Sequence, residues 1–189
     1  QDGTLRKVPL FVRYQDNIYP HIALRLIFDL WKIDPRKELK INPGRFIEIR
    51  KTRVPIDKNG YLLLNWAGRW KDSFQHLSCS DVYRLWLIKR NLEGNLKLSK
   101  EELREDNLKE ILAEDKKKLE EATAKLTTLI KDKICIIGLT APGTHDYTPI
   151  PLQPDYPAVG THANVLNTIL EGKFLRRIDT KINLAIVFG

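Results

Sequence analysis

Two histidines, two aspartates, two tyrosines and several threonines are gathered in one stretch, KICIIGLTAPGTHDYTPIPLQPDYPAVGTHANVLNTIL, from Lys133 to Leu170. Thr140, Thr144, His145, Asp146 and Tyr147 fall in a glycine-punctuated loop, and Thr161, His162 and Asn164 open the helix that follows. A metal site would draw on His145, Asp146 and His162, yet no pair of them has the fixed helical or turn spacing of a zinc motif. A phosphate loop needs glycines and a lysine at Walker spacing. GLTAPGTHD carries Asp146 where a lysine would serve, and no lysine follows until Lys173. Nucleophilic catalysis lacks a G-x-S-x-G elbow, and neither Cys79 nor Cys135 has a histidine beside it. The plainer alternative is structural: Asp146 and Thr144 satisfy backbone groups in a tight turn, while His162 and Asn164 make local bonds in the first helical turn. If the loop takes an anion, the free N–H groups at Thr161 would receive it, assisted by His145 or His162.

These residues need elements to hold them. Ile134 to Ile137 is a continuous apolar run that reads as a strand covered on both faces and ended by Gly138, and loops after such strands are where α/β sheets place ligands. Thr161 is expected to cap a helix bearing Val165, Leu166, Ile169 and Leu170, closed by Gly172. Upstream, VPLFVRY alternates as a strand with one buried face. Pro20 fits the first turn of a helix with Ile22, Leu26, Ile27 and Leu30 inward and Arg25 paired to Asp29, and Pro35 marks its end. Arg45 to Trp66 reads as an antiparallel meander, with Asn59-Gly60 as its hairpin turn. A short helix from Ser80 to Gly94 would offer Val82, Leu85 and Trp86 to the core. From Ser99 to Lys131 the composition is highly charged. Ser99 and Glu102 form a capping box, and Leu108, Leu112, Leu119, Ala122, Leu126 and Leu129 recur near heptad spacing with Asp115 interrupting the seam. That stripe suits either a coiled coil or a surface helix docked on its own domain.

The whole is an α/β chain: a mixed β-sheet flanked by helices, with an antiparallel hairpin or meander and one long charged helix. Its 189 residues and 42% hydrophobic content exclude disorder and suit one ordinary domain. The two cysteines do not indicate a disulfide framework, and Cys135 reads as a small buried hydrophobe. A net charge of +8 with four tryptophans, two of them in GRWK and DLWK, leaves a basic nucleic-acid-binding domain as one alternative. A hydrolase-like enzyme using His145, Asp146 and His162 is another.

Five elements in order resemble the CHASE family, type two, the cyclase and histidine-kinase associated sensory extracellular domain. They are DGTLRKVPL at Asp2 to Leu10, the helix of YPHIALRL, the hairpin with Pro55, Asp57, Gly60, Asn65 and Gly68, the strand and loop from Lys133 to Asp146 with Thr148-Pro149, and Pro157 to Asn164. Ala158 stands where that family's P-G-V has glycine, and the charged helix is longer than the resemblance leads one to expect.

The resemblance implies that residues 1–181 form the C-terminal part of one extracytoplasmic sensor domain, with 99–131 as a long helical segment. The domain would be non-catalytic and use no cofactor or metal. It would be the periplasmic or extracellular input of a bacterial membrane receptor with an adenylate or guanylate cyclase, histidine kinase or Ser/Thr kinase output. Its partners would be a small-molecule or environmental signal and a second copy in a homodimer, with membrane tethering and no nucleic acid. Residues 182–189 are expected to be either the start of a transmembrane span, which needs roughly 20 apolar residues, or a final buried strand. Candidate ligand residues are Thr140, Thr144, His145, Asp146, Tyr147, Thr161, His162 and Asn164.

Overall fold

In the computed structural model, which describes residues 2–102, 106–141, 143 and 146–176, the chain divides into two compact units, 1–74 with 136–189, and 75–135. The elements in chain order are β1 (Lys7–Pro9), β2 (Phe11–Tyr14), β3 (Asn17–Pro20), α1 (Ile22–Leu30), α2 (Pro35–Glu38), β4 (Leu39–Asn42), β5 (Phe46–Ile49), β6 (Thr52–Pro55), β7 (Tyr61–Leu63), α3 (Trp70–Ser73), α4 (Cys79–Glu102), α5 (Asp106–Ile130), β8 (Tyr147–Ile150), β9 (Gln153–Pro157) and α6 (Val159–Glu171). The class is α/β as expected. The described strands pair antiparallel in four small sheets, β1 with β7, β2 with β3, β4-β5-β6, and β8 with β9.

The first unit holds the core. Leu10, Leu24, Ile27, Ile47, Ile49, Val54, Leu62, Val165 and Ile169 are buried in one cluster, with α1 packed on α6. Each such side chain contributes about 1.5–3 kcal/mol on leaving water. The expected strand Val8–Tyr14 is divided at Leu10, whose N–H donates to Gly60 O at 3.1 Å and whose O accepts from His21 N–H at 2.8 Å. The chain changes partner there, so Val8 and Leu10 are buried while Val12 and Tyr14 face out. Pro20 ends β3 instead of opening α1, and His21 caps the helix. The inward face of α1 is Ala23, Leu24, Ile27 and Phe28, whereas Ile22 and Leu30 are exposed. Pro35 opens the short α2.

The expected meander begins earlier, at Leu39, and loses its last strand to β1. Asn59-Gly60 does turn the chain, with Gly60 at φ +80° and Asp57 N–H bonded to Tyr61 O at 3.0 Å. The Asp57 carboxylate, however, takes the N–H groups of Asn59 and Tyr61 at 2.9 and 3.0 Å, an Asx-type turn that redirects β7 away from β6.

The second unit is a helical hairpin of α4 and α5, and its ends meet where Lys133 Nζ donates to Gln75 Oε1 at 2.9 Å. α4 does not stop at Gly94. It continues to Glu102, so Ser99 lies inside a helix and not at the start of one. Val82 and Trp86 are exposed, not core. Of the expected heptad stripe, Leu119, Ala122, Leu126 and Leu129 are half-buried, with α5 packed on α4 of the same chain. Asp115 is half-buried in line with them instead of interrupting the seam, while the side chains of Leu108 and Leu112 lie outside the described residues.

The strand expected at Ile134–Ile137 does not form. An apolar run becomes a strand only where a neighbour offers ladder hydrogen bonds, and no described strand pairs with it. Ile134, Cys135 and Ile137 are exposed, Ile137 at 92%. Residues 182–189 lie outside the described residues.

Candidate functional site

α6 begins in the middle of the expected site. It starts at Val159 after Ala158, so Thr161 lies within its first turn and is not the cap. One face of the helix carries the polar row Thr161, Asn164 and Thr168, all buried. Buried amides must be satisfied, and Asn164 is. Its Oδ1 accepts from Ala67 N–H at 2.9 Å, and its Nδ2 donates to Tyr156 Oη and to Gly160 O, each at 2.8 Å. Thr168 Oγ1 donates to Asn164 O at 2.7 Å and lies 3.3 Å from Asn65 O. Asn65 Nδ2 in turn donates to Lys173 O at 3.1 Å, beyond Gly172, which ends α6 at φ +66° as expected.

Tyr156 is enclosed by Trp66 and Trp70, each edge-on at 5.3 and 5.7 Å between ring centres, and by Gly160, where a Cβ would lie 2.5 Å from the tyrosine ring. Trp70 N–H donates to Gln153 Oε1 at 2.9 Å. These contacts clamp α6 to β9 and to the segment between β7 and α3. Trp70, one of the two tryptophans flanked by basic residues, is thereby committed to packing together with Trp66, and Trp31, the other, packs against the core.

His162 meets a partner that sequence spacing does not show. Its Nδ1 lies 3.2 Å from Nε2 of His21, 141 residues away. Ala23 N–H donates to His21 Nδ1 at 3.2 Å, which places the proton of the neutral His21 ring on Nε2 and makes Nε2–H the donor to His162. Burial pushes the His21 pKa down to about 4, and His162 beside it adds to the shift. The only sequence signal for His21 is its place before an apolar helical pattern, in the Y-P-H-I run.

Among the described residues, the rest of the loop does not converge into a catalytic group. Thr140 is exposed and its O accepts from Tyr147 Oη at 2.9 Å. Asp146 is exposed, and its backbone O accepts from Ala158 N–H at 2.9 Å. Thr144 and His145 lie outside the described residues. Thr161 Oγ1 is buried without a hydrogen-bond partner. No hydrogen bond joins Asp146 to His162 among the described residues. Nor do three or more His, Cys, Asp or Glu side chains gather there in a way that could hold a metal ion.

The other motif residues are likewise tied into the scaffold. Asp2 accepts from Arg6 at 2.9 and 2.7 Å, and this pairing holds the Asp2 carboxyl well below the usual range. Leu5 N–H donates to Pro149 O at 2.8 Å, which joins the chain's first segment to the Thr148-Pro149 motif. Burial alone would raise the Asp57 carboxyl, but hydrogen bonds from Lys7 and from the Tyr61 and Asn59 N–H groups outweigh it and hold it below its ordinary value.

A family model for the CHASE2 domain matches residues 1–188. The chain belongs to the CHASE2 family. CHASE2 domains are extracellular, non-catalytic sensory domains of signalling receptors. The match spans the helical hairpin of the second unit as well as the motif-bearing first unit. No curated protein and no solved structure matches the chain. Among the described residues of this CHASE2 domain, no helix is long and apolar enough to cross a membrane.

Proposed function

We propose that this CHASE2 domain is the extracytoplasmic input domain of a membrane-bound receptor whose output is an adenylate or guanylate cyclase, a histidine kinase or a Ser/Thr kinase. In this reading the receptor is a homodimer tethered to the membrane, and the signal is a small molecule or an environmental change. The observation that carries the reading is the family match over residues 1–188. The geometry supports it in one respect: the described motif residues fasten α6 at several points along its length. A helix held this way can transmit a change only if the signal binds two arrangements of the clamp unequally.

The test is a chimeric receptor with this chain as its outer domain, a transmembrane helix pair and a cyclase output. Asn164→Ala removes the amide that joins Ala67, Tyr156 and Gly160. The expected outcome is cyclase activity shifted at least about fivefold by Asn164→Ala at equal surface expression, corresponding to a coupling of about 1 kcal/mol. Output identical to that of the unaltered chimera would remove α6 from the signalling route.

A further inference from the structure

A cleft of about 570 Å3 opens on the first unit, and none of its described lining residues belongs to the 140–147 loop or to α6. Its volume is within the ordinary range for small-molecule sites, about 300–1,000 Å3. The apolar part is formed by Phe46, Tyr61, Leu63 and Leu175. Among the described residues, five cationic side chains line it, Lys7, Arg45, Arg53, Lys58 and Arg176, against one carboxylate, Asp57.

Two of the cations are held in place. Lys7 Nζ lies 2.7 Å from Asp57 Oδ2 and 4.8 Å from the centre of the Tyr61 ring. Arg53 Nε donates to Glu48 Oε2 at 2.8 Å, with its guanidinium 4.9 Å from the centre of the Phe46 ring. Arg45, Lys58 and Arg176 have no carboxylate partner among the described residues.

The turns that carry Arg45 and Lys58 touch. Ile56 N–H donates to Arg45 O at 3.2 Å, and Gly44, at φ +75°, leaves room for the Lys58 main chain 3.7 Å from where a Cβ would sit. Arg176 follows Phe174, which packs against the core. Three cations that line one recess and have no carboxylate partner among the described residues present a field complementary to an anion.

We propose that this cleft binds an amphipathic organic anion, a carboxylate or phosphate monoester. Arg45, Lys58 and Arg176 hold the head, and the hydrocarbon lies on Phe46, Tyr61 and Leu63. Arginine forks match carboxylate and phosphate oxygens two at a time, and the lysine adds a point charge. The charges line a recess beside apolar side chains, which suits a small molecule better than a flat lipid surface. Because Leu175 and Arg176 follow α6, an occupant also touches the segment leaving that helix.

The proposal stands on the lining residues and not on the receptor reading. It is tested by binding to this chain alone, so its failure and that of the chimera are separate events. Isothermal titration of the full chain with hexyl phosphate is the measurement, with inorganic phosphate and hexanol as companions. Hexyl phosphate is expected to bind at millimolar concentration or tighter, inorganic phosphate about tenfold more weakly for want of apolar contact, and hexanol not at all. Arg45→Gln/Lys58→Gln, both on surface turns, is expected to weaken hexyl phosphate at least about tenfold. Arg13→Gln/Lys37→Gln removes the same charge outside the cleft and should leave affinity within about twofold. Absence of hexyl phosphate binding, equal losses in the two double variants, or binding confined to phosphatidylglycerol vesicles would each overturn the proposal. The last result would assign the basic face to a membrane surface.

Discussion

His21 and His162 show how a helix cap can set the chemistry of a distant side chain. Because Ala23 N–H occupies His21 Nδ1, a proton added to that ring must displace the cap, and the helix start already disfavours positive charge there. The unfolded ring titrates near 6.5 and the folded one near 4. Between those values the unfolded chain binds the proton and the folded chain does not. The contribution to stability is therefore complete above pH 6.5 and is lost as the pH falls through 4. The ring is only half-buried, so solvent reduces the effect to about 1 kcal/mol. His21→Asn keeps a capping acceptor and removes the titration. In urea unfolding at pH 7 and pH 4.5, the unaltered protein is expected to lose about 1 kcal/mol more than His21→Asn, and parallel losses would contradict the pairing. His162 was legible in the sequence as a first-turn residue, but its partner was not, because two histidines 141 positions apart are joined only by the packing of α1 on α6.

At the scale of elements, α6 is anchored along its length, and a glycine makes that anchoring possible. The Tyr156 ring passes so close to Gly160 that an added Cβ would meet Cε1 at 2.5 Å and Cζ and Oη at 2.8 Å. Tyr156 is itself fully buried and its hydroxyl is committed to Asn164, so the ring has nowhere to move. Gly160→Ala is expected to destabilise the protein by about 1–3 kcal/mol, measured by chemical denaturation. A change under 0.5 kcal/mol would mean that the ring repacks freely. The helical face of Val165, Leu166 and Ile169 could be read from periodicity, as could the αL end at Gly172. The polar row Thr161, Asn164 and Thr168 could not be assigned a role from spacing, since its partners are the Ala67 N–H, the Asn65 O and the Tyr156 hydroxyl. The capping box at Ser99 failed for a related reason: a good N-cap sequence starts a helix only where none is already running, and α4 passes through it.

At the scale of the whole molecule, the buried cluster built around α1 and α6 is drawn, among the described residues, from the first unit. The helical hairpin enters and leaves through ends that its own Gln75–Lys133 bond holds together. Chain inserted between closely spaced ends adds little to the stability of the host core. Replacing residues 75–135 with a short Gly/Ser linker is expected to leave one cooperative thermal transition, with Tm within about 5 °C of the intact chain, a shift of about 1 kcal/mol. A chain that no longer unfolds cooperatively would show that the hairpin supports the core.

The sequence alone determined the α/β class, the family likeness carried by five ordered motifs, the closing helix and its apolar face, and the half-buried stripe on α5. All of these are local: periodicity, glycine conformation and residue order are properties of neighbours along the chain. Only the tertiary structure decided which strands find partners, so Ile134–Ile137 stays out of every described sheet while Leu39–Asn42 joins one. It also decided that the motif residues brace α6, that His21 meets His162, and that five cations from separate segments share one cleft. Ladder hydrogen bonds, buried amides and charge clusters are satisfied by whatever the fold brings near, and that proximity is set by burial of the common core.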